Sequence, residues 1–329
     1  MVNTISRFQI LSLDGGGLKG IFTAAFLSHI EEHAGIRLID CFDLIAGTST
    51  GGIVALGLGL GYSPRDMLNY YKEEGPKIFP SQNSLTRSFR NISWFFVRKY
   101  PSAALRNSLD KYFGNRLLGE SLRPLIIPAF NFERGDVYLY KTPHHKNLKF
   151  DYRVPVKNVA LHTASAPSYL PISITDTGVQ LIDGGIWANN PTMVALVEAL
   201  GYFGQPKESI AVLSIGTSQG PRASGKKIIN GGLWTWRKKT IEFLMRGQSI
   251  MAHNAAFHIL DNDRFLRVDP EMSKEYPLDR LMSDLEGLGY SEARDKINVI
   301  ERMFLGHKAG RYEPVYTIKN SNLNEDEHV

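Results

Sequence analysis

Apolar residues along the chain fall into short blocks that alternate between two spacings. Phe8-Gln9-Ile10-Leu11-Ser12-Leu13 reads as a strand, and from Gly20 to about Ala34 the residues Ile21, Ala24, Ala25, Leu27 and Ile30 recur at helical spacing until Gly35 stops them. A second pair follows at once: Phe42 to Ala46 predicts a strand, and Gly52 to Leu60 a buried helix whose glycines allow close packing on a sheet. Strand, turn and helix, twice over, is the rhythm of a parallel sheet with covering helices. Ser63 as N-cap with Pro64 at the first position predicts a helix through Lys72 that ends near Gly75-Pro76.

Residues 77 to 104 break the pattern, because Arg87, Arg90, Arg98 and Lys99 surround Ile92, Trp94, Phe95, Phe96, Val97 and Tyr100. Such a segment suits a packed insertion with charges facing water first, and a lid or a contact with an anionic membrane surface as the alternative. The rhythm then resumes. Leu105 to Phe113 predicts a helix, Leu125 to Asn131 and Val137 to Lys141 predict strands, and Val159 to Ser165 starts a helix that breaks at Pro167. Val179 to Ile182 predicts a strand ending in the turn Asp183-Gly184-Gly185, Asn190-Pro191 opens a helix over Thr192 to Leu200, and Ile210 to Ile215 is a late buried strand. Beyond it, 219–247 is rich in Gly, Lys, Arg and Trp. Helical stretches are expected at Ser249 to Leu260, Pro277 to Leu285 and Ser291 to Phe304, followed by an acidic tail, Asn324 to Val329. The expected division is 1–218 as the catalytic unit and 219–329 as a helical extension packed on it.

The 329 residues, 43% apolar, suffice for a large core, and no apolar run approaches the roughly 18 residues of a membrane span. Met1 to Leu13 has no secretory pattern, and a single cysteine, Cys41, allows no internal disulfide and no cysteine metal cluster; both fit a cytoplasmic protein. A net charge of +5 suits anionic partners such as phospholipid headgroups or nucleotides without choosing between them. No nucleic-acid polymer is expected, and a homo-oligomer remains open.

The chemistry gathers in two glycine-rich turns, each after a strand and before a helix, so both open at one edge of the sheet. Gly47-Thr48-Ser49-Thr50-Gly51 has the form G-x-S-x-G, which lifts a serine hydroxyl out of a sharply bent backbone. Asp14-Gly15-Gly16-Gly17-Leu18-Lys19-Gly20 offers backbone N–H groups at a helix start, where an oxyanion could be held. Gly15, Gly17 and Gly20 also match the dinucleotide fingerprint, but Asp14 would put a carboxylate beside the pyrophosphate, and the acidic residue expected after the second strand is missing. The serine needs a base. His253 and His258 come late enough for a conventional Ser-His-Asp esterase but sit on a helix-like segment, and His144-His145 precedes the aspartate. Asp183 ends a strand before two glycines, which leaves its carboxylate clear at the sheet edge, and an aspartate in reach can take the serine proton itself.

These three ordered motifs, with Ala164-Ser165-Ala166-Pro167 and Asn189-Asn190-Pro191, resemble the patatin-like phospholipases over roughly residues 6 to 218. The resemblance implies a three-layer α/β/α fold with a mainly parallel sheet and a lipid acyl hydrolase with no cofactor, metal or catalytic histidine. By carry-over Ser49 is the nucleophile, Asp183 the base and Gly15, Gly16 and Gly17 the oxyanion hole, with Lys19, Gly47, Gly51, Gly184 and Gly185 in support. Within the family the chain is similar to compact bacterial members activated by cyclic nucleotides in antiphage signalling. That similarity implies a cyclic dinucleotide activator, action at the inner membrane surface, and a candidate regulatory surface over 219–260 with Arg237, Lys238 and Lys239. A constitutive lipase without nucleotide control is the alternative.

Overall fold

A computed structural model describes residues 6–80, 100–217, 233–272, 278–280 and 283–318, with side chains left out at 233–239, 241–242 and 283. The segment 81–99, most of the candidate lid, lies outside the described residues, as do 218–232, the acidic tail and the side chains of Arg237, Lys238 and Lys239.

Eight strands of the described residues form one sheet: β1 (Phe8–Leu13), β2 (Leu44–Gly47), β3 (Leu125–Asn131), β4 (Asp136–Lys141), β5 (Ser173–Ile174), β6 (Gln180–Asp183), β7 (Ile210–Ile215) and β8 (Phe265–Val268). Their order is β5-β6-β3-β2-β1-β7-β8, with β4 against β3. The centre and one wing, β3-β2-β1-β7-β8, are parallel, and β4, β5 and β6 pair antiparallel. The helices are α1 (Gly20–Ala34), α2 (Thr50–Gly59), α3 (Pro64–Ile78), α4 (Ala103–Phe113), α5 (Val156–Thr163), the single turn α6 (Gly185–Ala188), α7 (Thr192–Gly201), α8 (Leu233–Leu260) and α9 (Ser283–Ile300).

Alternation along each strand builds the three layers. Phe8 and Ile10 join Leu44, Ala46, Ile210, Val212 and Phe265 in a core under α7 and α8, where Ala195, Leu196, Ala256 and Leu260 meet them. Leu11, Leu13, Ile45, Leu213 and Val268 point the other way, into a larger core with residues of α1, α2, α3 and α9. Strands covered on both faces are largely apolar, so β1, β2 and β7 carry no alternating polar face, and their few polar residues, Gln9, Ser12 and Ser214, are buried.

The two-residue strand β5 was not expected, and four larger elements depart from the sequence reading. Helix α3 runs through Pro76 to Ile78, because Lys72 and Pro76 both lie on the exposed face, where water serves the carbonyl that proline leaves unpaired, and buried Ile78 anchors the last turn. Helix α8 begins at Leu233, well before Ser249. Residues 278–280 form a turn rather than the start of a helix over Pro277 to Leu285, and α9 joins the ends of two expected helices into one whose pattern Gly287 and Gly289 had diluted. Strand β8, with Arg267 in its middle, was not expected at all; it extends the sheet beside β7, so the C-terminal part is not purely helical. Among the described residues no helix is long and apolar enough to cross a membrane.

Candidate active site

Leu13 lies opposite Gly47 at the ends of the parallel strands β1 and β2, so the two glycine-rich turns leave the sheet side by side. The serine turn is bent as tightly as chain sterics allow. A side chain at Gly47 would strike the Gly51 carbonyl, and one at Gly51 would strike the Leu13 carbonyl. Ser49 itself sits at φ 54°, ψ −120°, a conformation that costs an L-residue about 1–3 kcal/mol and persists only where the surroundings enforce it. Here they do. The Thr48 hydroxyl donates to the Ala188 carbonyl at 2.6 Å, and the Ser49 N–H donates to Thr163 Oγ1 at 2.9 Å. The Thr163 hydroxyl in turn donates to the Pro128 carbonyl at 2.6 Å.

Pro128 marks the point where the site opens. One edge of β3 is taken by β4 over residues 126–131; on the other edge β2 pairs with Leu125 and Ile126, and β6 pairs antiparallel with Ala129 to Asn131. The two strands therefore approach head to head along one edge and stop on either side of Pro128, which has no N–H to leave unpaired in the gap. Ser49 leaves the end of β2, Asp183 closes the end of β6, and they meet: Ser49 Oγ donates to Asp183 Oδ2 at 2.7 Å. The other carboxylate oxygen accepts the Gly185 N–H at 2.7 Å, which fixes the plane of the group. Gly184, between them, lies against the Pro128 backbone. Asp183 is only 6% and Ser49 8% exposed. Burial pushes the Asp183 carboxyl up to about 6, against the pull of its bonds from Ser49 and Gly185.

Both residues open onto a cleft of about 1060 Å³, its mouth included, lined by apolar side chains such as Leu18, Ile53, Leu105, Leu170 and Met245. Gly16 and Gly17 line it too; Gly15 does not, and its N–H donates to the Asn189 carbonyl at 3.0 Å. The glycine loop thus has Gly16 and Gly17, not Gly15, as the amides with no hydrogen bond among the described residues. Gly17 stands at φ +59°, pressed against the Leu278 carbonyl, and that carbonyl accepts the next amide, Leu18 N–H, at 2.7 Å. Lys19 is half-buried, its N–H donates to the Gly16 carbonyl at 3.2 Å, and its charge acts on Asp14 through space.

Asp14 does not face the cleft chemistry. Its carboxylate is buried in a two-pronged ion pair with Arg267 of β8, with contacts of 2.8 and 2.6 Å. The histidines are elsewhere. None lines the cleft among the described residues; His253 lies 5.4 Å from Phe265 ring to ring, His258 is exposed on the same helix, and His144 binds Glu198 at 2.9 Å. Thr163 and Arg267 are the two residues of this site that the sequence did not point to. Thr163 stood next to a motif that did, whereas Arg267 had no signal.

Comparison with known proteins agrees with this layout. A family model described as "Patatin-like phospholipase" matches residues 11–196, a span that includes Ser49 and Asp183 and excludes Arg267. A protein of Pseudomonas aeruginosa named "cGAMP-activated phospholipase" is 32% identical over 283 residues, 84% of each chain. An Escherichia coli protein of the same name is 32% identical over 79% of this chain and 80% of its own. "Patatin-like protein 4" of Arabidopsis thaliana is 27% identical over 95% of this chain and 88% of its own.

Proposed function

The chain belongs to the patatin-like phospholipase family, and from that premise we propose that it hydrolyses the acyl esters of membrane phospholipids through a Ser49–Asp183 dyad, under the control of a cyclic dinucleotide. Hydrolysis of lipid esters follows from the family. The observation that carries the dyad is the 2.7 Å bond from Ser49 Oγ to a buried carboxylate whose plane the Gly185 amide holds.

The steps follow from that geometry. Asp183 takes the Ser49 proton as Oγ attacks the ester carbonyl, and the N–H groups of Gly16 and Gly17 receive the oxyanion. The tetrahedral adduct collapses, the C–O bond to the lyso-lipid breaks, and Asp183 returns the proton to the departing oxygen. Water then enters, Asp183 takes its proton, and attack on the acyl-Ser49 carbonyl frees the fatty acid and restores the serine. A carboxyl lifted to about 6 is a stronger base than an ordinary aspartate and is still mostly ionised at neutral pH.

The apolar cleft suits an acyl chain. Ile186, which lines its mouth at 47% exposure, and Leu244, 64% exposed beside the cleft-lining Met245, suit contact with a lipid surface. Activation by a cyclic dinucleotide is supported by the names of the two bacterial relatives; a role in antiphage signalling at the inner membrane surface is part of the proposal and goes beyond those names.

The experiment is fatty-acid release from mixed phospholipid vesicles by the wild type and Ser49→Ala, each with and without a panel of cyclic dinucleotides. The expected result is release that needs both Ser49 and one nucleotide. Release that needs Ser49 but ignores every nucleotide leaves the lipase and removes its control. Release that survives Ser49→Ala overturns the dyad.

A further inference from the structure

In the row that crosses the sheet from β1 to β8, Ser12 lies opposite Ser214, and Ser214 opposite Arg267. Alternation puts Asp14, two residues past Ser12, and Asp269, two past Arg267, on that same face. Arg267 starts two strand spacings from β1, roughly 10 Å. Its side chain crosses that distance because the residues beneath it are small: Nη1 donates to Ser214 Oγ at 2.8 Å on the way to Asp14 Oδ1 at 2.8 Å, and Nη2 reaches Asp14 Oδ2 at 2.6 Å and Asp269 Oδ2 at 2.8 Å. The cation and both carboxylates are nearly closed to water, and the two acids hold Arg267 more firmly protonated than usual.

Asp14 is the first residue of the loop whose Gly16 and Gly17 amides face the cleft. The rest of that loop is tied down by backbone bonds from Asp14 to Ile215 and from Leu18 to Leu278, and by the Thr217 hydroxyl on the Gly15 carbonyl. Asp14 carries a charged side chain at the start of that loop, and a bare carboxylate there would oppose an oxyanion forming two residues away. We infer that Arg267 is a positioning residue for the oxyanion hole: from the last strand of the sheet it fixes the Asp14 end of the glycine loop and cancels its charge, so that the Gly16 and Gly17 amides present a positive field to the reacting carbonyl. This rests on the reading of Ser49 and Asp183 as the catalytic pair.

The test compares Arg267→Gln, Arg267→Lys, the double variant Asp14→Asn/Arg267→Gln and Ser49→Ala on a soluble short-chain ester, with kcat, KM and melting temperature measured for each. Arg267→Gln leaves a buried carboxylate beside the hole. The expected result is a loss in kcat of about 100-fold, the scale of one lost oxyanion donor, with KM within a few-fold of the wild type. Arg267→Lys keeps the charge without the fork, and the double variant removes both charges; each recovers at least about tenfold of that loss. A folded Arg267→Gln with wild-type kcat overturns the inference. So does a loss that the Lys and double variants share in full, since that marks packing rather than charge and placement. Where Arg267→Gln fails to fold, the other two variants decide: wild-type kcat in the double variant with a loss of tenfold or less in Arg267→Lys supports it, and equal deep losses overturn it. Turnover that survives Ser49→Ala points instead to failure of the underlying dyad.

Discussion

Thr163 shows how much a single hydroxyl can organise. It accepts the amide of the strained Ser49 and donates to the Pro128 carbonyl of β3, between the stretch paired with β2 and the stretch paired with β6. Thr163→Val keeps the shape and orphans both groups, so stability should fall by about 1–3 kcal/mol, with kcat reduced more than KM, and Thr163→Ser should restore both; denaturant melts and ester kinetics check this. Asp183 carries a second prediction. Because its carboxyl stands near 6, kcat/KM should rise with pH through an acid limb at about 6 rather than near 4. The same shift has a consequence for stability. The folded state holds a proton there that the unfolded chain releases, so this group's contribution to stability falls as pH climbs from about 4 to 6 and stays low above it. Asp183→Asn should therefore abolish hydrolysis while raising stability at pH 7 by something on the order of 3 kcal/mol, a gain that vanishes below about pH 4. Melting curves of the two proteins at pH 4 and pH 7 would show it.

At the scale of elements, the site is a defect in strand pairing put to use. A parallel strand and an antiparallel one share a single edge of β3, and the gap between their ends is where Ser49 and Asp183 meet. Helix α3 forms one wall of the cleft through Tyr70, Tyr71 and Ile78, and its start is set by a capping box in which the Ser63 hydroxyl and the Asp66 carboxylate serve each other's backbone amides. Ser63→Ala should cost about 1 kcal/mol of stability and leave kcat unchanged, because the cap lies on the surface away from the chemistry. Helices of this kind were legible in the sequence, since caps, glycine stops and the 3.6 period are local. The extension of α3 past Pro76 was not, because it depends on which face meets water.

For the whole molecule, the C-terminal third is tied into the sheet and the loop. Strand β8 covers the edge of β7, α8 covers the face under α7, α9 packs along α1, and Leu278 and Arg267 hold the glycine loop. A chain ended at residue 218 should consequently lack a cooperative melt and any Ser49-dependent hydrolysis, which calorimetry and ester assays on the truncated protein would establish. The three motifs and their strand-turn-helix setting were readable from the chain, because turn chemistry, strand ends and period are short-range signals; the layered α/β/α class and the expectation that Ser49 works with Asp183 came with the family resemblance that those motifs carry. The exchange of Gly15 for a backbone role, the clasp of Thr163 and the reach of Arg267 across β7 were decided only in three dimensions. Each depends on which residues from distant parts of the chain compete for one hydrogen bond or one buried charge, and that competition has no period in the sequence.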